Sequence, residues 1–321
     1  MPINDHRDLP QHFMWVLSTD RAELHFFPDP EQVPGGYAAL SHVWDQGMEQ
    51  TFQDIRRIQQ YCKRDPGVNP RDRVCDKIRR CCELAARHGY KWVWIDTCCI
   101  DKTSSADLSE AINSMFRYYS LAHICYGYLQ DVSYYEPDFA GYDNHDEFRY
   151  SIWFTRGWTL QELIAPRFFL FLSNDWSVLG SRFDFAELLE WECGIPAALL
   201  RFEVSHRKYS ITERMSWFGE RKTTRVEDEA YCLLGLFDIH MPTLYGEGVN
   251  AFRRLQEELM RQSADTTLFA WDAVDRDDPH HSCLFAPSPS AFSSYSDKME
   301  PMAYKPPQHD RQRVRRTMLV C

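Results

Sequence analysis

The residues with the clearest capacity for chemistry lie in the segment RGWTLQEL, residues 156–163. Within it the carboxylate of Glu162 follows the indole of Trp158 by four positions, and on a helix two side chains at that spacing share a face. A carboxylate beside an aromatic ring in a cleft can stabilise a developing positive charge, as cleavage of a sugar–base bond requires. The alternative is structural, with Glu162 a surface or first-turn helix residue and Trp158 part of the core.

Four short apolar runs predict the buried strands that would position such a site. They are rich in β-branched and aromatic residues and cover 37–43, 92–96, 122–129 and 167–172. Helical patterns fill the gaps between them, and alternating strands and helices indicate right-handed crossovers and a mostly parallel sheet. The predicted fold class is therefore α/β, with helices flanking the sheet and ligands at the carboxyl ends of its strands.

Helical spacing of apolar residues continues beyond the last of these strands. Amphipathic patterns predict helices over 183–191 and 249–260, and the capping-box spacing of Thr224 and Glu227 predicts a helix through Phe237. We therefore divide the chain into four parts. These are an N-terminal extension (1–36), an α/β core (37–172), a helical second half (173–271) and a loop-rich tail (272–321).

Composition and charge exclude several classes of function. The net charge of -11 argues against nucleic-acid binding, which needs clustered Lys and Arg. The first 20 residues lack the pattern of a signal peptide, so we expect the 11 cysteines to be reduced in a cytoplasmic protein. No C-x-x-C sequence occurs, which argues against a metal site, and no apolar run approaches the ~20 residues of a membrane span.

Three sequence blocks together resemble the fungal heterokaryon-incompatibility (HET) domain. They are YAALSHVW (37–44), WVWIDTCCID (92–101) and FTRGWTLQEL (154–163). The segments 224–248, 251–271 and 286–292 resemble the second half of the same family, whereas Asp45 stands where that family usually has Gly. The resemblance implies a domain that triggers cell death when genetically different hyphae fuse, often as the effector end of a larger recognition protein.

HET domains are also similar to TIR domains, which are flavodoxin-like parallel α/β folds. Several TIR domains cleave NAD+ with a glutamate in a W-x-x-x-E helix. Carried over by position, that catalytic glutamate is Glu162 and its aromatic partner is Trp158, while Ser41, Trp44 and Asp96 would line the pocket. The resemblance thus implies hydrolysis of the nicotinamide–ribose bond, with NAD+ as substrate and no separate cofactor. Nicotinamide leaves as a neutral base, so one ionised carboxylate suffices.

Two of the remaining candidates carry an open alternative. Arg156, just before the helix, could bind a phosphate of the dinucleotide together with helix N–H groups, or could pair with a carboxylate in the acidic loop 130–151. Asp96 could hydrogen-bond a ribose or adenine edge, or could cap the turn that follows its strand. Ser41 and His42 cannot pair with each other, because adjacent strand residues point to opposite faces.

Two functions follow from these expectations. In the first, the chain is an NAD+ glycohydrolase that kills the cell when it self-associates as a homo-oligomer. In the second, it is a non-enzymatic death-signalling module that oligomerises and recruits partners, such as an NLR-type recognition protein, and Glu162 merely packs.

Overall fold

The sheet positions every candidate residue, and it has seven strands in the described part of the chain. A computed structural model describes residues 13–45, 47–65, 67–134, 145–271 and 284–298. The strands are β1 (Met14–Ser18), β2 (Leu24–Phe27), β3 (Ala38–His42), β4 (Trp92–Ile95), β5 (Ile124–Tyr128), β6 (Phe169–Leu172) and β7 (Val178–Ser181). Their order across the sheet is β2-β1-β4-β3-β5-β6-β7.

The four central strands, β4, β3, β5 and β6, are parallel, and the outer strands β1, β2 and β7 pair antiparallel. The predicted α/β class with a mostly parallel core is therefore confirmed. Numbered by their own sequence, the parallel strands run 2-1-3-4, which is how the flavodoxin-like order begins. In that order the connections reverse direction between β3 and β5, so a ligand crevice is expected above the carboxyl end of β3.

Each predicted strand is present within one or two residues, but the sheet is larger than the sequence indicated. β1 and β2 come from the segment 1–36, whose polar composition and scattered prolines predict an extension rather than strands. In β1 the side chains of Val16 and Leu17 are fully buried, so this segment contributes to the core. β7 is also additional, and its residues are all partly exposed, which leaves no apolar signal to predict it from.

Helices flank the sheet and continue into the second half of the chain. They are α1 (Phe52–Cys62), α2 (Asp76–Arg87), α3 (Asp96–Cys99), α4 (Ser105–Leu121), α5 (His145–Arg149), α6 (Thr159–Ile164), α7 (Ala186–Cys193), α8 (Ala197–Leu200), α9 (Ile211–Ser216), α10 (Asp228–Tyr231) and α11 (Asn250–Gln262). Short 3₁₀ helices lie at Pro30–Gln32, Pro70–Arg73, Ile152–Thr155, His206–Lys208, Leu234–Phe237, Thr266–Phe269 and Pro289–Lys298. In the described part of the chain, no helix has both the length and the apolar composition that crossing a membrane requires.

The predicted helix from Thr224 through Phe237 is wrong as a single element. The chain instead forms α10 and the 3₁₀ helix Leu234–Phe237. Glu227 does not complete a capping box, because its carboxylate accepts hydrogen bonds from the backbone of Gly246 and Gly248. A tertiary contact thus replaces the local one that the spacing suggested.

Part of the segment that was expected to be a loop-rich tail packs against the second half. Gln256 on α11 exchanges two hydrogen bonds with the backbone of Ala286, at 3.0 and 2.8 Å. Phe292 is almost fully buried. Residues 272–283 and 299–321 of that tail, and 135–144 of the acidic loop, lie outside the described residues.

Candidate functional site

The carboxylate of Glu162 meets the end of β3 at the crevice position expected from the strand order. Ser41, the fourth residue of β3, donates a hydrogen bond from Oγ to Glu162 Oε2 at 2.5 Å. Glu162 lies in α6, which leads into β6, and only 5% of its surface is exposed. The sequence therefore brings two of its predicted site residues, 121 positions apart, into direct contact.

Two aromatic side chains complete the surroundings of this pair. The indole N–H of Trp153 donates to Ser41 Oγ at 3.0 Å, so a continuous chain of donors runs from Trp153 through Ser41 to Glu162. Tyr119 on α4 donates to the backbone oxygen of Leu40 at 3.1 Å and also contacts the Glu162 carboxyl group. Sequence reasoning missed both rings, because no local spacing links them to Glu162.

Burial changes the charge state of Glu162. Loss of solvent raises the pKa of this carboxyl group to about 8, and the nearby negative charge of Asp96 adds to the shift. The contacts with Ser41 and Tyr119 and the positive charge of Arg221 offset only part of it. At neutral pH the free protein therefore holds Glu162 mainly as the neutral acid.

Asp96 forms the second part of the site, at the start of α3 directly after β4. Its Oδ1 lies 3.1 Å from His42 Nε2, and its Oδ2 accepts the indole N–H of Trp44 at 2.9 Å. Burial alone would raise the pKa of Asp96, but the hydrogen bond and charge of His42, the charge of Lys102 and the Trp44 N–H hold it below its usual value. Asp96 is therefore a buried anion held by His42, the last residue of β3, and by Trp44 two residues beyond it.

His42 lies between two carboxylates. Its other ring nitrogen, Nδ1, is 3.7 Å from Glu49 Oε1. Glu49 in turn pairs with Lys77 of α2 at 2.5 Å, and Lys77 also reaches Asp45 at 3.1 Å. Because Ser41 and His42 point to opposite faces of β3, the strand end presents Glu162 on one side and this charged group on the other.

Helix α6 is held at both ends by buried guanidinium groups. Arg182, which is 3% exposed, donates to the backbone oxygens of Leu163, Ile164, Arg167 and Leu200. Arg221 donates to the backbone oxygens of Phe154 and Arg156 and to Thr159 Oγ1. The bonds from Arg182 to Leu163 and Ile164 satisfy carbonyl groups that the last turn of α6 leaves unpaired, and those from Arg221 hold the segment just before the helix. Together they fix the helix that carries Glu162.

Gly157 lies where the backbone that leads into α6 passes close to residues 222–223. Its N–H donates to the backbone oxygen of Lys222 at 2.9 Å. A Cβ atom at this position would lie 2.6 Å from Cγ2 of Thr223, closer than real Cβ contacts. Glycine is thus required where the RGW sequence crosses the 222–223 segment.

The side chains of the remaining two predicted site residues, Trp158 and Arg156, bind partners in the second half of the chain. Trp158 is the N-cap residue of α6, and its side chain hydrogen-bonds Asp228 of α10. The hydrogen-bonded indole that reaches Glu162 through Ser41 is that of Trp153. Arg156 Nη2 donates to Thr224 Oγ1 at 3.0 Å. Of the carboxylates in the loop 130–151, its predicted alternative partners, Asp131 and Glu147 accept hydrogen bonds from Ser151 and Ser133, and those of 135–144 lie outside the described residues.

The comparisons with known proteins agree with the resemblance read from the motifs. Residues 37–144 match the family model "Heterokaryon incompatibility protein (HET)", and residues 250–291 match a "Domain of unknown function (DUF8212)". The chain is 43% identical over 226 residues to "Vegetative incompatibility protein HET-E-1" of Podospora anserina. That alignment covers 70% of this chain and 16% of the relative, so the chain corresponds to a small part of that protein. No solved structure matches the chain.

Proposed function

Because residues 37–144 carry a HET domain, we propose that this chain is a cell-death module of fungal incompatibility that hydrolyses the nicotinamide–ribose bond of NAD+ when it self-associates. The observation that carries the proposal is the contact between Ser41 and Glu162 at the carboxyl end of β3. It joins a buried carboxyl group to the strand end where a doubly wound sheet binds ligands. Asp96 and Trp44 extend the same edge.

In this mechanism Glu162 stabilises the positive charge that develops on the ribose as nicotinamide leaves. Water adds to the sugar carbon, nicotinamide departs as a neutral base, and one proton is released. The pyridinium ring of NAD+ brings a positive charge close to Glu162, and a nearby opposite charge favours the ionised carboxylate. Substrate binding would thus release the proton that Glu162, with its pKa of about 8, carries in the free protein.

The test is nicotinamide release by concentrated protein, measured with and without a crowding agent that promotes self-association. Glu162→Gln keeps the size of the side chain and removes the ionisable group, and we expect activity to fall at least ~100-fold. Glu190→Gln is the matched control, since Glu190 is exposed on α7. Equal release by wild type and Glu162→Gln would overturn the catalytic role.

One observation favours a non-enzymatic module instead. Glu162 is 5% exposed and links α6 to β3, so it can serve to pack the two elements together. If this second function is correct, no nicotinamide is released under either condition, and expression of Glu162→Gln still kills fungal cells. Loss of both activity and killing in the same variant supports the enzyme.

A further inference from the structure

Trp44 is an exposed aromatic ring whose orientation is nevertheless fixed. It lies two residues beyond β3, and 47% of its surface is exposed. Its indole N–H donates to Asp96 Oδ2 at 2.9 Å, and Asp96 is itself held by His42 on its other oxygen. An exposed tryptophan without such a bond would sample several rotamers, whereas this one presents a defined face to solvent.

That face already carries a cation. The ammonium group of Lys102 lies 3.6 Å from the centroid of the Trp44 ring, well inside the distance at which a cation is attracted to an indole. Lys102 is exposed and follows α3 on a polar turn, so its side chain is able to leave the ring. The contact shows that an ammonium group can lie against this ring, where the charge of Asp96 offsets part of the burial that lowers the pKa of Lys102.

The charges near Trp44 explain why a cation lies on its ring. Asp96 is a buried anion directly behind the indole N–H, whereas the charge of Glu49, on the far side of His42, is paired with Lys77. An indole whose N–H is bonded to an anion is more electron-rich, which strengthens its attraction for a cation. The site therefore combines a flat apolar surface with the negative charge of Asp96, and such a pairing suits a planar cation.

We propose that the face of the Trp44 ring covered by Lys102 binds a planar aromatic cation, the pyridinium ring of an oxidised nicotinamide nucleotide, which displaces Lys102 from it. The inference deepens the proposed function, on which it rests, by giving the substrate ring a place beside Asp96. The aromatic ring that contacts nicotinamide is then Trp44 rather than Trp158, whose side chain is engaged by Asp228.

The experiment separates ring binding from hydrolysis by using two small probes. The full chain is titrated with 1-methylnicotinamide, a pyridinium cation, and with nicotinamide, its neutral counterpart, and the dissociation constants are measured by NMR. We expect the cation to bind more tightly. Trp44→Leu should weaken cation binding by about fivefold or more, and Lys102→Met should strengthen it by a similar factor because a competing charge is removed.

Two control variants make the result specific. Trp191→Leu removes a ring of similar exposure, 44%, on α7 and should leave both dissociation constants unchanged. Lys102→Arg keeps a competing cation on the ring and should therefore bind the probe no more tightly than the wild type does. Thermal unfolding of each variant verifies that the fold is retained.

The proposal is overturned if Trp44→Leu binds 1-methylnicotinamide as the wild type does, or if Lys102→Met fails to bind it more tightly. Its failure is distinct from failure of the proposed hydrolysis. Ring binding that depends on Trp44, together with unchanged nicotinamide release in Glu162→Gln, would reject the catalytic role and retain the binding site. If Glu162→Gln loses nicotinamide release and Trp44→Leu binds 1-methylnicotinamide as the wild type does, the catalytic role is retained and the binding site is rejected.

Discussion

Two glutamates that are almost equally hidden from solvent behave in opposite ways. Glu162, beside the sheet, is 5% exposed, and Glu227, in the helical half, is 7% exposed. Burial raises the pKa of Glu162 to about 8. The pKa of Glu227 is lowered by its own backbone N–H and by those of Gly246 and Gly248. Solvent exposure alone therefore does not determine the charge of a carboxyl group in this fold.

The difference lies in what surrounds each side chain. Backbone N–H groups donate to Glu227 Oε1 at 2.7 and 3.1 Å, and they favour its ionised form. Glu227 also lies nearer the molecular surface, so burial contributes less there. Glu162 receives a hydroxyl donor from Ser41, lies deep in the fold and faces the negative charge of Asp96.

These surroundings suit different tasks. The negative charge of Glu227 strengthens its hydrogen bonds to the backbone of the 246–248 turn, so Glu227 anchors a loop. Glu162 is not needed as an anchor, because Arg182 and Arg221 already hold α6 through backbone oxygens. A carboxyl group that is kept neutral and close to a strand end is free to ionise when a cation arrives, which is how functional sites use a shifted pKa.

The largest expected effect is a pH dependence of stability that Glu162 alone produces. Its folded pKa of about 8 exceeds the ordinary 4.5, so the folded state binds this proton more tightly than the unfolded state. The resulting stabilisation is complete below about pH 4.5 and is lost as pH rises through about 8. Relative to wild type, Glu162→Gln should therefore gain about 3 kcal/mol in free energy of unfolding between pH 5 and pH 8.

Chemical denaturation of both proteins at the two pH values measures this gain. Glu190→Gln, on the surface of α7, should show no such change. A constant difference between wild type and Glu162→Gln across the range would mean that Glu162 is ionised in the folded protein. The contrast with Glu227 would then disappear, since Glu227 contributes stability that is lost only as pH falls through its lowered pKa.

The second effect concerns the guanidinium that fixes α6. Arg182→Met keeps a long apolar side chain but leaves the backbone oxygens of Leu163 and Leu200 without their buried donor. We expect a loss of roughly 3 kcal/mol in the free energy of unfolding at pH 7, because an unpaired buried polar group retains its full desolvation cost. Thermal and denaturant unfolding measure it.

Arg201→Met is a control with a partly exposed arginine in the same region, and its pair with Glu187 should matter little. If Arg182→Met is no less stable than Arg201→Met, then contacts other than those of Arg182 hold α6. Glu162 would then be needed to anchor the helix, contrary to the comparison with Glu227.

The sequence predicted the core of the fold well, for a clear physical reason. The four parallel strands are buried on both faces, so they appear as short continuous apolar runs such as WVWID at 92–96. Strands β2 and β7 lie at the edges of the sheet, where few residues need to be apolar, and both escaped prediction. Strand β1 is largely buried and also escaped prediction, because its short run MWVLS lies within a segment that is otherwise polar and rich in proline. The strand-end rule correctly placed Ser41 and Asp96 at one edge, because parallel strands end together.

Side-chain partners across the fold were beyond the reach of local spacing. The interval from Trp158 to Glu162 suggested a shared helical face, but Trp158 precedes the first turn of α6 and contacts Asp228. Trp153 donates to Ser41 from the 3₁₀ helix Ile152–Thr155, which no sequence pattern predicts. Thr224 and Glu227 had the spacing of a capping box, yet two glycine N–H groups some 20 positions away bind Glu227 instead.

The third effect tests the anchoring side of the comparison. Glu227→Gln keeps one amide oxygen for Gly246 and Gly248 but removes the charge that strengthens both hydrogen bonds. We expect a loss of about 2 kcal/mol at pH 7, and a smaller loss in acid, where wild-type Glu227 is itself protonated. Hydrogen exchange should show faster opening of the 246–248 turn. A variant with unchanged stability and exchange would leave Glu227 without a structural task.

The smallest effect separates the two indoles near α6. Trp158→Phe removes the hydrogen bond to Asp228 and keeps an aromatic ring, so we expect a loss of about 1 kcal/mol in stability and little change in nicotinamide release. Trp153→Phe removes the donor to Ser41, whose hydroxyl orients Glu162, and should lower release more than it lowers stability. If Trp158→Phe is instead the less active variant, the aromatic partner of Glu162 is Trp158, as the W-x-x-x-E spacing predicts. That result would also require α6 to turn in the self-associated state, because in this structure the Trp158 side chain is bonded to the helical half while Glu162 faces the sheet.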